Sequence, residues 1–341
     1  MPSAIKVCVR QISPSLTGAL ILMTAPALAY AAGDESPEFT LASNGITVVC
    51  DSAEIGDSGE VDGTVYTKRR QNEITPDNAA TTCTSGINAM SRLFDMSRLG
   101  EDGGGFNADI SHWDVSRVNE MSQMFMGAEA FNQDLSAWDV SRVHNMRNMF
   151  SNAKAFDQDI GDWNVARVTN MANMFGGAEA FNQDIGDWDT GRVRNTQGMF
   201  SGATSFDQDI GRWDLSGVND MTFMFWAARA FDQDLNDWDV SNVTRMANMF
   251  AEAGAFNGDI SDWDVSGVTD MGFMFSNAAS FNQDISQWDT GNVANMQQMF
   301  AGAEAFDQDI SNWDVSSVTE TRAIFHGTSA LDDAQKPDGL K

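Results

Sequence analysis

The hydrophobic positions of this chain follow a pattern that restarts every 25 residues between residues 106 and 330. Counted from Val118, apolar residues stand at offsets 0, 3, 6, 7 and 10. Offsets of this kind place side chains on one face of a helix of about three turns, which predicts a helix from Val118 to about Ala128. Gly127 stands near the end of this segment, where a glycine is typical of helix termination.

A second, more polar block precedes each predicted helix. One example is "FNQDIS" at Phe281–Ser286, which carries one aliphatic residue among polar neighbours and is bounded by turn residues. This block predicts a brief strand centred on Ile285. One short strand and one helix per 25-residue repeat predict an α/β solenoid of the leucine-rich-repeat-like class.

Five apolar columns are expected to fill the interior of this solenoid, because each burial contributes roughly 2 kcal/mol and alike units stack into one core. The columns are Phe106 to Phe306, Ile110 to Ile310 with two Leu members, Trp113 to Trp313, Val118 to Val318, and Phe125 to Phe325.

The segments outside the regular repeats differ in composition. Residues 40–86 contain two strand-like stretches, Gly45–Val49 and Gly63–Arg69, and an atypical segment of this kind suits the cap that a solenoid needs at its first unit. The sequence therefore predicts a signal peptide at 1–29, a polar tether at 30–39, an N-terminal cap at 40–86, a degenerate first repeat with an insertion at 87–105, nine 25-residue repeats at 106–330 and a C-terminal tail at 331–341.

Export is predicted by the first residues of the chain. Lys6 and Arg10 precede the apolar run Leu16–Ala29, which ends in small residues at the positions that a signal peptidase reads. The run is too short to span a bilayer and contains Pro26, so we favour a cleaved signal over a membrane anchor. We therefore expect a secreted or cell-surface protein without a transmembrane helix in the mature chain.

Cys50 and Cys83 are the cysteines that follow the predicted signal peptide. In an oxidising compartment, two cysteines in a small Gly- and Thr-rich cap are expected to form a disulfide. The alternative is a pair of free buried thiols.

The charge of the chain limits its partners. The formal net charge is -29, from 49 acidic and 20 basic residues. A field of this sign repels nucleic acid and anionic lipid, so we expect a protein or another surface ligand as the partner, and no nucleic acid.

An aspartate precedes the Ile or Leu of every repeat, and stacked carboxylates repel one another. In one interpretation each Asp accepts hydrogen bonds from the turn that follows it; in the other, calcium ions lie between the repeats. We favour the structural interpretation, because calcium loops usually add carboxylates and Gly at fixed offsets. The column consists of Asp109, Asp134, Asp159, Asp184, Asp209, Asp234, Asp259, Asp284 and Asp309.

A second acidic column follows each Trp, from Asp114 to Asp314, and is interrupted by Asn164. Asparagine keeps the oxygen acceptor and removes the charge. The position therefore needs an oxygen more than an ion, which favours hydrogen bonding in a turn.

Two further columns contain candidate partner-binding residues. Consecutive repeats carry Arg117, Arg142, Arg167 and Arg192, whereas later repeats carry Gly, Asn or Ser at this position. The row is either a solvated surface row or a cationic stripe for an acidic partner. The strand-flanking glutamines, including Gln133, Gln158, Gln183 and Gln208, are the other candidates.

Residue patterns typical of enzymes are absent from the sequence. His112, His144 and His326 occupy three different repeat positions, and there is no Gly-rich phosphate loop, zinc spacing or nucleophile motif. Each carboxylate belongs to a column that the fold explains better than an active site does. We therefore expect a protein that is not an enzyme, with no catalytic residue and no cofactor apart from the calcium considered above.

The repeat resembles that of a known family. "FNQDISQWDTGNVANMQQMFAGA" is similar to the 25-residue repeat of BspA-like leucine-rich-repeat surface proteins, a group of bacterial exported proteins. The resemblance covers the whole array and rests on recurring D-I/L-S, W-D-V-S, V-T-x-M and M-F elements. It implies a secreted or cell-surface protein, which in some members is an adhesin for host matrix proteins or other bacteria. No binding residue of the family maps onto a position of this chain.

These observations lead to two functional hypotheses. The first is an exported, non-enzymatic module for protein binding or adhesion at the cell surface, because solenoids present long faces for partners. The second is a structural surface component, stabilised by calcium and without a specific ligand. A large shift of melting temperature with calcium and with chelator would support the second hypothesis.

Overall fold

The structure is a computed structural model, and it describes residues 37–96 and 105–340. The predicted signal peptide, residues 30–36 of the tether and most of the insertion lie outside the described residues. None of the helices in the described ranges has both the length and the apolar character that crossing a bilayer requires.

The N-terminal cap is built from short strands. Strands β1 (Thr40–Leu41) and β2 (Val48–Val49) pair antiparallel, while β3 (Ser58–Val61) and β4 (Thr64–Lys68) form a hairpin to which β5 (Thr82–Cys83) adds in parallel. The two strand-like stretches of the sequence thus contain β2 and β4. Short 3-10 helices lie at Gln71–Glu73, Ala79–Thr81, Asp333–Gln335 and Asp338–Leu340.

The disulfide prediction is confirmed. Cys50 and Cys83 are joined, with 2.06 Å between their Sγ atoms, and both residues are fully buried. They belong to a small apolar cluster with Phe39, Val48 and Ala53, which is separate from the core of the repeats. The cap therefore has an interior of its own, which the disulfide closes.

The cap is joined to the first regular repeat by backbone and side-chain contacts. Val48 N–H donates to the His112 carbonyl at 2.8 Å, and the Trp113 indole N–H donates to the Ala79 carbonyl at 3.1 Å. Ser85 Oγ donates to Asp114 Oδ2 at 2.9 Å. Ala79 also belongs to the main core, so the cap covers the first layer of the array.

The predicted helix from Val118 to Ala128 is wrong. This segment forms consecutive turns, and its N–H groups alternate in their partners. Met121, Gln123 and Phe125 donate to carbonyls of the next repeat at 3.0, 2.8 and 2.9 Å, whereas Met124 and Ala128 donate to carbonyls three residues back in the same repeat. An α-helix over this segment would need the N–H groups of Gln123 and Phe125 for carbonyls four residues back, so the inter-repeat bonds replace it.

The backbone geometry gives the second reason for the absence of a helix. Gln123 and Gly127 have φ angles of 59° and 75°, and the equivalent residues of the later repeats also have positive φ. L-residues in this left-handed region cannot continue a right-handed helix. Gly127 therefore serves a left-handed turn position and does not terminate a helix.

The predicted strand centred on Ile285 is also wrong, since residues 281–286 carry no strand. Parallel bridges occur instead in the segment predicted to be helical, one per repeat, from Ala89–Glu120 to Asn295–Glu320. Within the described part of the chain, the bridge series is interrupted between Asn195 and Asp220. The repeats are thus linked through a narrow parallel ladder, and they are not the strand–helix units of the predicted α/β class.

The predicted core membership is correct, although the secondary structure is not. Val118, Met121, Met124, Phe125 and Ala128 are all 0% exposed. The reason is that consecutive tight turns, repeated in every unit, orient the side chains at the same repeat positions towards the interior. The two end layers depart from this rule: Ile87 and Leu93 of the degenerate first repeat, and Val318 and Phe325 of the last repeat, are partly buried.

Aromatic rings of consecutive repeats stack along the core. The Phe125 and Phe150 ring centroids lie 5.5 Å apart, and the Trp188 and Trp213 rings are 6.2 Å apart with 3° between their planes. Each indole N–H of the Trp column keeps a partner: Trp138 Nε1 donates to the Ile110 carbonyl of the preceding repeat at 3.2 Å, and the later repeats continue this bond. The Trp column therefore adds both apolar area and an inter-repeat hydrogen bond.

The tail covers the last repeat. Leu331 is buried, and Gln335 Nε2 donates to Asp307 Oδ1 at 2.9 Å. The Gln335 carbonyl accepts from Ile310 N–H at 3.0 Å. The tail thus forms hydrogen bonds with the Asp307 side chain and the Ile310 N–H of the last repeat, groups to which a further repeat would otherwise bond.

Candidate functional site

The four arginines of the predicted stripe, hereafter the arginine row, are exposed at equivalent positions of consecutive repeats. Each arginine stands directly before a buried valine in a tight turn. In the turns of Arg142, Arg167 and Arg192, the valine N–H bonds back three residues at 2.9, 2.8 and 2.8 Å. The valine anchors the turn in the core, and the arginine side chain is left in solvent.

The structure brings three members of the row together and separates the fourth. Arg142, Arg167 and Arg192 line one surface cavity of about 580 Å³, here called the arginine cavity, together with His144, Ala166 and Asp189. Arg117 instead pairs with Asp51 of the cap, with 3.3 Å between Nη2 and Oδ2. The first arginine is therefore engaged within the chain, and the other three share a concave surface.

The charges of the arginine cavity are unbalanced. Among residues 37–96 and 105–340, no acidic side chain lies within ion-pair distance of Arg142, Arg167 or Arg192. Asp189 lies in the cavity, and its Oδ1 accepts the Gly191 N–H at 3.3 Å. Three guanidinium groups with one carboxylate leave a local excess of positive charge on an acidic protein.

A further arginine, missed by the sequence analysis, extends the row. Arg194 Nη1 donates to the carbonyls of Gly191 and Val193 at 3.1 and 2.7 Å, and this bends the guanidinium over the next repeat. A Cβ atom at Gly217, the row position of that repeat, would overlap the Arg194 guanidinium. In the sequence, Gly217 marks the end of the arginine column. The structure shows that a glycine at this position leaves room for the Arg194 guanidinium.

Beyond Gly217 the same column has a structural use. Asn242 Nδ2 donates to the Ser216 carbonyl at 2.9 Å, and Asn292 Nδ2 donates to the Ser266 carbonyl at 2.8 Å. Ser317 Oγ donates to the Gly291 carbonyl at 2.6 Å. Short side chains turn back to the preceding repeat, whereas the arginines of the row project outwards.

The candidate glutamines lie in a ladder between repeats. Gln133 and Gln158 donate through Nε2 to Oδ1 of Asn107 and Asn132 in the preceding repeats, both at 2.9 Å. Gln183 and Gln208 make the equivalent bonds at 2.8 and 2.9 Å. Their amide nitrogens thus hold the repeats together, and a partner-binding role for these side chains stays a prediction.

The aspartates before the Ile or Leu residues close their own turns. Asp109 Oδ1 and Asp134 Oδ1 accept the N–H of the second residue after them at 3.0 and 2.9 Å, and most of the column repeats this bond. Asp234 differs, because its Oδ1 accepts the Asp259 N–H of the next repeat at 2.9 Å. The turn bonds hold one oxygen of every carboxylate in the column except that of Asp234.

The aspartates after the Trp residues close turns in the same way. Asp114 Oδ1 accepts the Ser116 N–H at 3.1 Å, and Asn164 Oδ1 accepts the Ala166 N–H at 3.2 Å. The side-chain and backbone hydrogen bonds of Ser216 lower the pKa of Asp214, with a smaller contribution from the Arg194 charge. The asparagine shows that this position requires an acceptor oxygen, as the sequence predicted.

The geometry of the acidic columns also bears on the calcium hypothesis. In the part of the chain that the structure describes, no three His, Cys, Asp or Glu side chains form a group that could hold a metal ion. The calcium hypothesis stays a prediction that rests on the oxygens of the Asp109-type and Asp114-type columns of the sequence.

Sequence reasoning also missed an aromatic pair on the surface of the repeats. Phe223 and Trp226 are 41% and 37% exposed. Phe223 and Phe273 have φ angles of 61° and 60°, a left-handed conformation that bulky residues rarely adopt. The signal in the sequence was the replacement of the Asn or Gln that several other repeats carry at this position.

The stacked 25-residue units with a cap at the first layer define a repeat protein. Residues 69–180, 158–260 and 230–336 match the model of the family described as "Mycoplasma protein of unknown function, DUF285". The chain belongs to this family, since the matched segments together span most of its length.

Other comparisons add little to this assignment. No curated protein matches the chain. A solved structure described as "Crystal structure of TLR13-ssRNA13 complex" is similar at 9% sequence identity and a TM-score of 0.21, over 77% of this chain and 45% of that chain. The chain thus spans less than half the length of that protein, and a likeness of this size carries no argument about function.

Proposed function

We propose that the chain is an exported, non-enzymatic repeat protein that binds a protein partner at the cell surface, with adhesion as its role. The arginine cavity carries this proposal. It presents three exposed guanidinium groups on one concave surface without ion-pair partners among the described residues. Guanidinium groups bind carboxylates with two parallel hydrogen bonds, which suits recognition of an acidic protein surface.

The division between scaffold and surface supports the proposal. The Phe, Trp and Val columns are buried, and the Asp109-type, Asp114-type and Gln columns are engaged in turns and ladders. The arginine row makes no repeating bond of this kind. A scaffold that holds its regular columns and leaves a varied column exposed is typical of repeat proteins that bind partners.

Export and surface location rest on the sequence. The predicted signal peptide at residues 1–29 and the resemblance to BspA-like surface proteins both favour this location. We further propose that the array is a leucine-rich-repeat-like solenoid in its one-dimensional stacking, because backbone hydrogen bonds join each repeat to the next and parallel bridges recur in all but one pair of repeats in the described part of the chain.

A binding experiment with the mature chain tests the proposed function. The chain is presented to surface and matrix proteins, with Arg117→Ser, Arg142→Ser, Arg167→Ser and Arg192→Ser combined in one variant. The matched control combines Arg147→Ser, Arg212→Ser, Arg229→Ser and Arg322→Ser, which removes the same charge from exposed positions elsewhere. We expect capture by the wild type and the control, and about a tenfold weaker affinity for the row variant. Equal capture by the two variants would contradict the proposal.

The alternative is a structural component stabilised by calcium. It is favoured by the exposed Asp109-type column, in which turn bonds occupy one oxygen of most carboxylates. Calorimetry with added calcium and with chelator distinguishes the two functions, since a ligand that binds only the folded state raises the melting temperature. A large calcium-dependent shift, together with no captured partner, would favour the structural function.

A further inference from the structure

We infer that the arginine cavity binds an extended acidic segment of a partner protein, with carboxylates at alternate residues. This inference rests on the proposed function, because it names the part of the partner that the cavity would hold. It depends on the spacing of the repeats that carry the arginines, on the sign of the surrounding charge and on the way the row ends.

The spacing of the repeats matches that of an extended peptide. In the repeats that carry the arginines, equivalent rings lie 5.8 Å apart for Phe150 and Phe175, and 5.7 Å apart for Phe175 and Phe200. Side chains on one face of an extended strand recur at about 6.6 Å, which is two residues of 3.3 Å each. Long arginine side chains can absorb the difference, so carboxylates at alternate residues would meet successive guanidinium groups.

The surrounding charge favours a short acidic segment over a long polyanion. The whole chain carries 49 acidic and 20 basic residues, so the arginine cavity is a local exception. A nucleic acid or an acidic polysaccharide carries negative charge along its whole length, so the part that extends beyond the arginine row would be repelled by the acidic residues of the other repeats. A peptide segment with three or four carboxylates has its charge only where the guanidinium groups lie.

Both ends of the row support a ligand of limited length. At the first repeat, the cap already supplies a carboxylate, since Asp51 Oδ2 lies 3.3 Å from Arg117 Nη2. This pair shows that a protein carboxylate can reach the row. At the other end, Arg194 covers Gly217, and the following repeats carry no arginine at the row position. The free part of the row therefore extends from Arg142 to the Arg194 guanidinium.

The other side chains of the cavity refine the expected sequence of the segment. His144 lies beside the arginines and can donate a hydrogen bond to a carboxylate or to a backbone carbonyl. Asp189 would repel a carboxylate placed next to it. Neutral polar residues between the acidic ones therefore fit the cavity better than an unbroken acidic run does.

The test uses labelled seven-residue peptides and the mature chain, with affinity measured by fluorescence anisotropy at two salt concentrations. One peptide alternates Ser and Asp, with Asp at the second, fourth and sixth positions. A second has the same composition with the three Asp residues contiguous, and a third has Asn in place of Asp. We expect the alternating peptide to bind about fivefold more tightly than the contiguous one, and the Asn peptide not to bind.

Variants connect the binding to the cavity. The Arg142→Ser, Arg167→Ser and Arg192→Ser triple variant is expected to lose about tenfold or more in affinity for the alternating peptide. The Arg147→Ser, Arg212→Ser and Arg229→Ser control keeps it. The single variant Arg167→Ser, which removes only the central guanidinium, is expected to lose part of the affinity and gives a reading if the triple variant folds poorly.

Other outcomes overturn the inference. They are equal binding of the alternating and contiguous peptides, unchanged binding by the arginine variants, or tighter arginine-dependent binding of a single-stranded oligonucleotide or a polyuronate. If the chain still captures a protein partner through the arginine row while the alternating peptide fails, the inference is wrong and the proposed function stands. If neither peptide nor protein depends on the row, both fail.

Discussion

The two ends of the repeat array are covered in different ways. At the first repeat, residues 37–86 form a cap with its own apolar cluster, short strands and a disulfide. At the last repeat, residues 331–340 contribute one buried leucine and a glutamine that bonds as a member of the inter-repeat ladder would. The first end is covered by a cap with its own core, and the second by a short segment that makes some of the bonds of a further repeat.

This difference shows what the end of a solenoid requires. A terminal repeat exposes apolar side chains and unpaired ladder groups, and both need cover. The cap covers both kinds of group. Ile74 and Ala79 pack into the main core, and the Ala79 carbonyl accepts a hydrogen bond from the Trp113 indole N–H. The tail pairs ladder groups but leaves Val318 and Phe325 partly buried, so we expect the C-terminal repeat to open more readily than the first one.

The largest expected effect is on the cap. Replacing Cys50 and Cys83 together by Ser removes a crosslink across 33 residues. The chain-entropy model gives a loss of about 3–4 kcal/mol for a loop of this size. Hydrogen exchange should rise throughout residues 37–86 and much less in the central repeats. Unchanged exchange in the cap would show that its apolar cluster holds it without the disulfide.

The tail should respond to the loss of its buried leucine. Leu331→Ala removes an apolar side chain that is 6% exposed, and such truncations cost about 2–3 kcal/mol. We expect faster hydrogen exchange in residues 306–330, with the cap unaffected. Leu41→Ala is the control, because Leu41 is 37% exposed. Equal effects of the two substitutions would contradict a covering role for the tail.

The two ends should also differ in their dependence on pH. Burial lowers the pKa of His112, although the Thr82 carbonyl and the Asp109 charge act in the opposite direction. A lowered pKa means that the neutral form is favoured in the folded state, so this contribution is complete above the unfolded pKa near 6.5 and is lost as the pH falls below it. The slope is at most about 1.4 kcal/mol per pH unit.

Hydrogen exchange measured between pH 7 and pH 5 checks this prediction, after correction for the intrinsic exchange rate. The cap should lose protection in this range, and the tail should not. His112→Gln removes the titrating group, so a variant that keeps the same pH dependence would assign it to another residue. The turn aspartates act in a lower range: hydrogen bonds lower the pKa of Asp264, so its contribution is present above its ordinary pKa and lost as the pH falls below it.

The smallest expected effect compares the tail with an interior repeat. Gln335 and Gln308 both donate through Nε2 to a side-chain oxygen of the preceding repeat, each at 2.9 Å. Each Nε2 also donates to a backbone carbonyl of the preceding repeat. Gln335→Ala and Gln308→Ala should therefore each cost about 1–2 kcal/mol, since one such hydrogen bond has a net value of about 1 kcal/mol. Denaturant unfolding of the two variants measures this. A cost for Gln308→Ala alone would mean that the tail does not replace a repeat.

Burial could be predicted from the sequence, and secondary structure could not. The Trp113 to Trp313 column is buried as predicted, because a large apolar side chain at a fixed repeat position has no other stable place. The helix prediction failed because offsets of three and four residues also arise from consecutive tight turns. Asn148 and Gly177, at left-handed positions, were the available signal, since Asn and Gly adopt this conformation more readily than other residues.

The candidate site was predicted in part. The arginine row was visible as a column, and its members are exposed. The sequence could not separate Arg117, which pairs with Asp51 across 66 positions, from the arginines that line the cavity. Nor could it place Arg194 over Gly217, because that contact depends on how one repeat lies against the next.

By itself the sequence determined which side chains are interior and how long each repeat is, because the period of 25 residues and the identity of the apolar columns leave little choice. It also predicted the Cys50–Cys83 disulfide, because these two cysteines follow the predicted signal peptide. Only the tertiary structure decided the conformation of each repeat and the membership of the arginine cavity. The physical reason is that Met121, Gln123 and Phe125 donate their N–H groups to a neighbouring repeat. A backbone whose partners lie about 25 residues away cannot be read from local preferences alone.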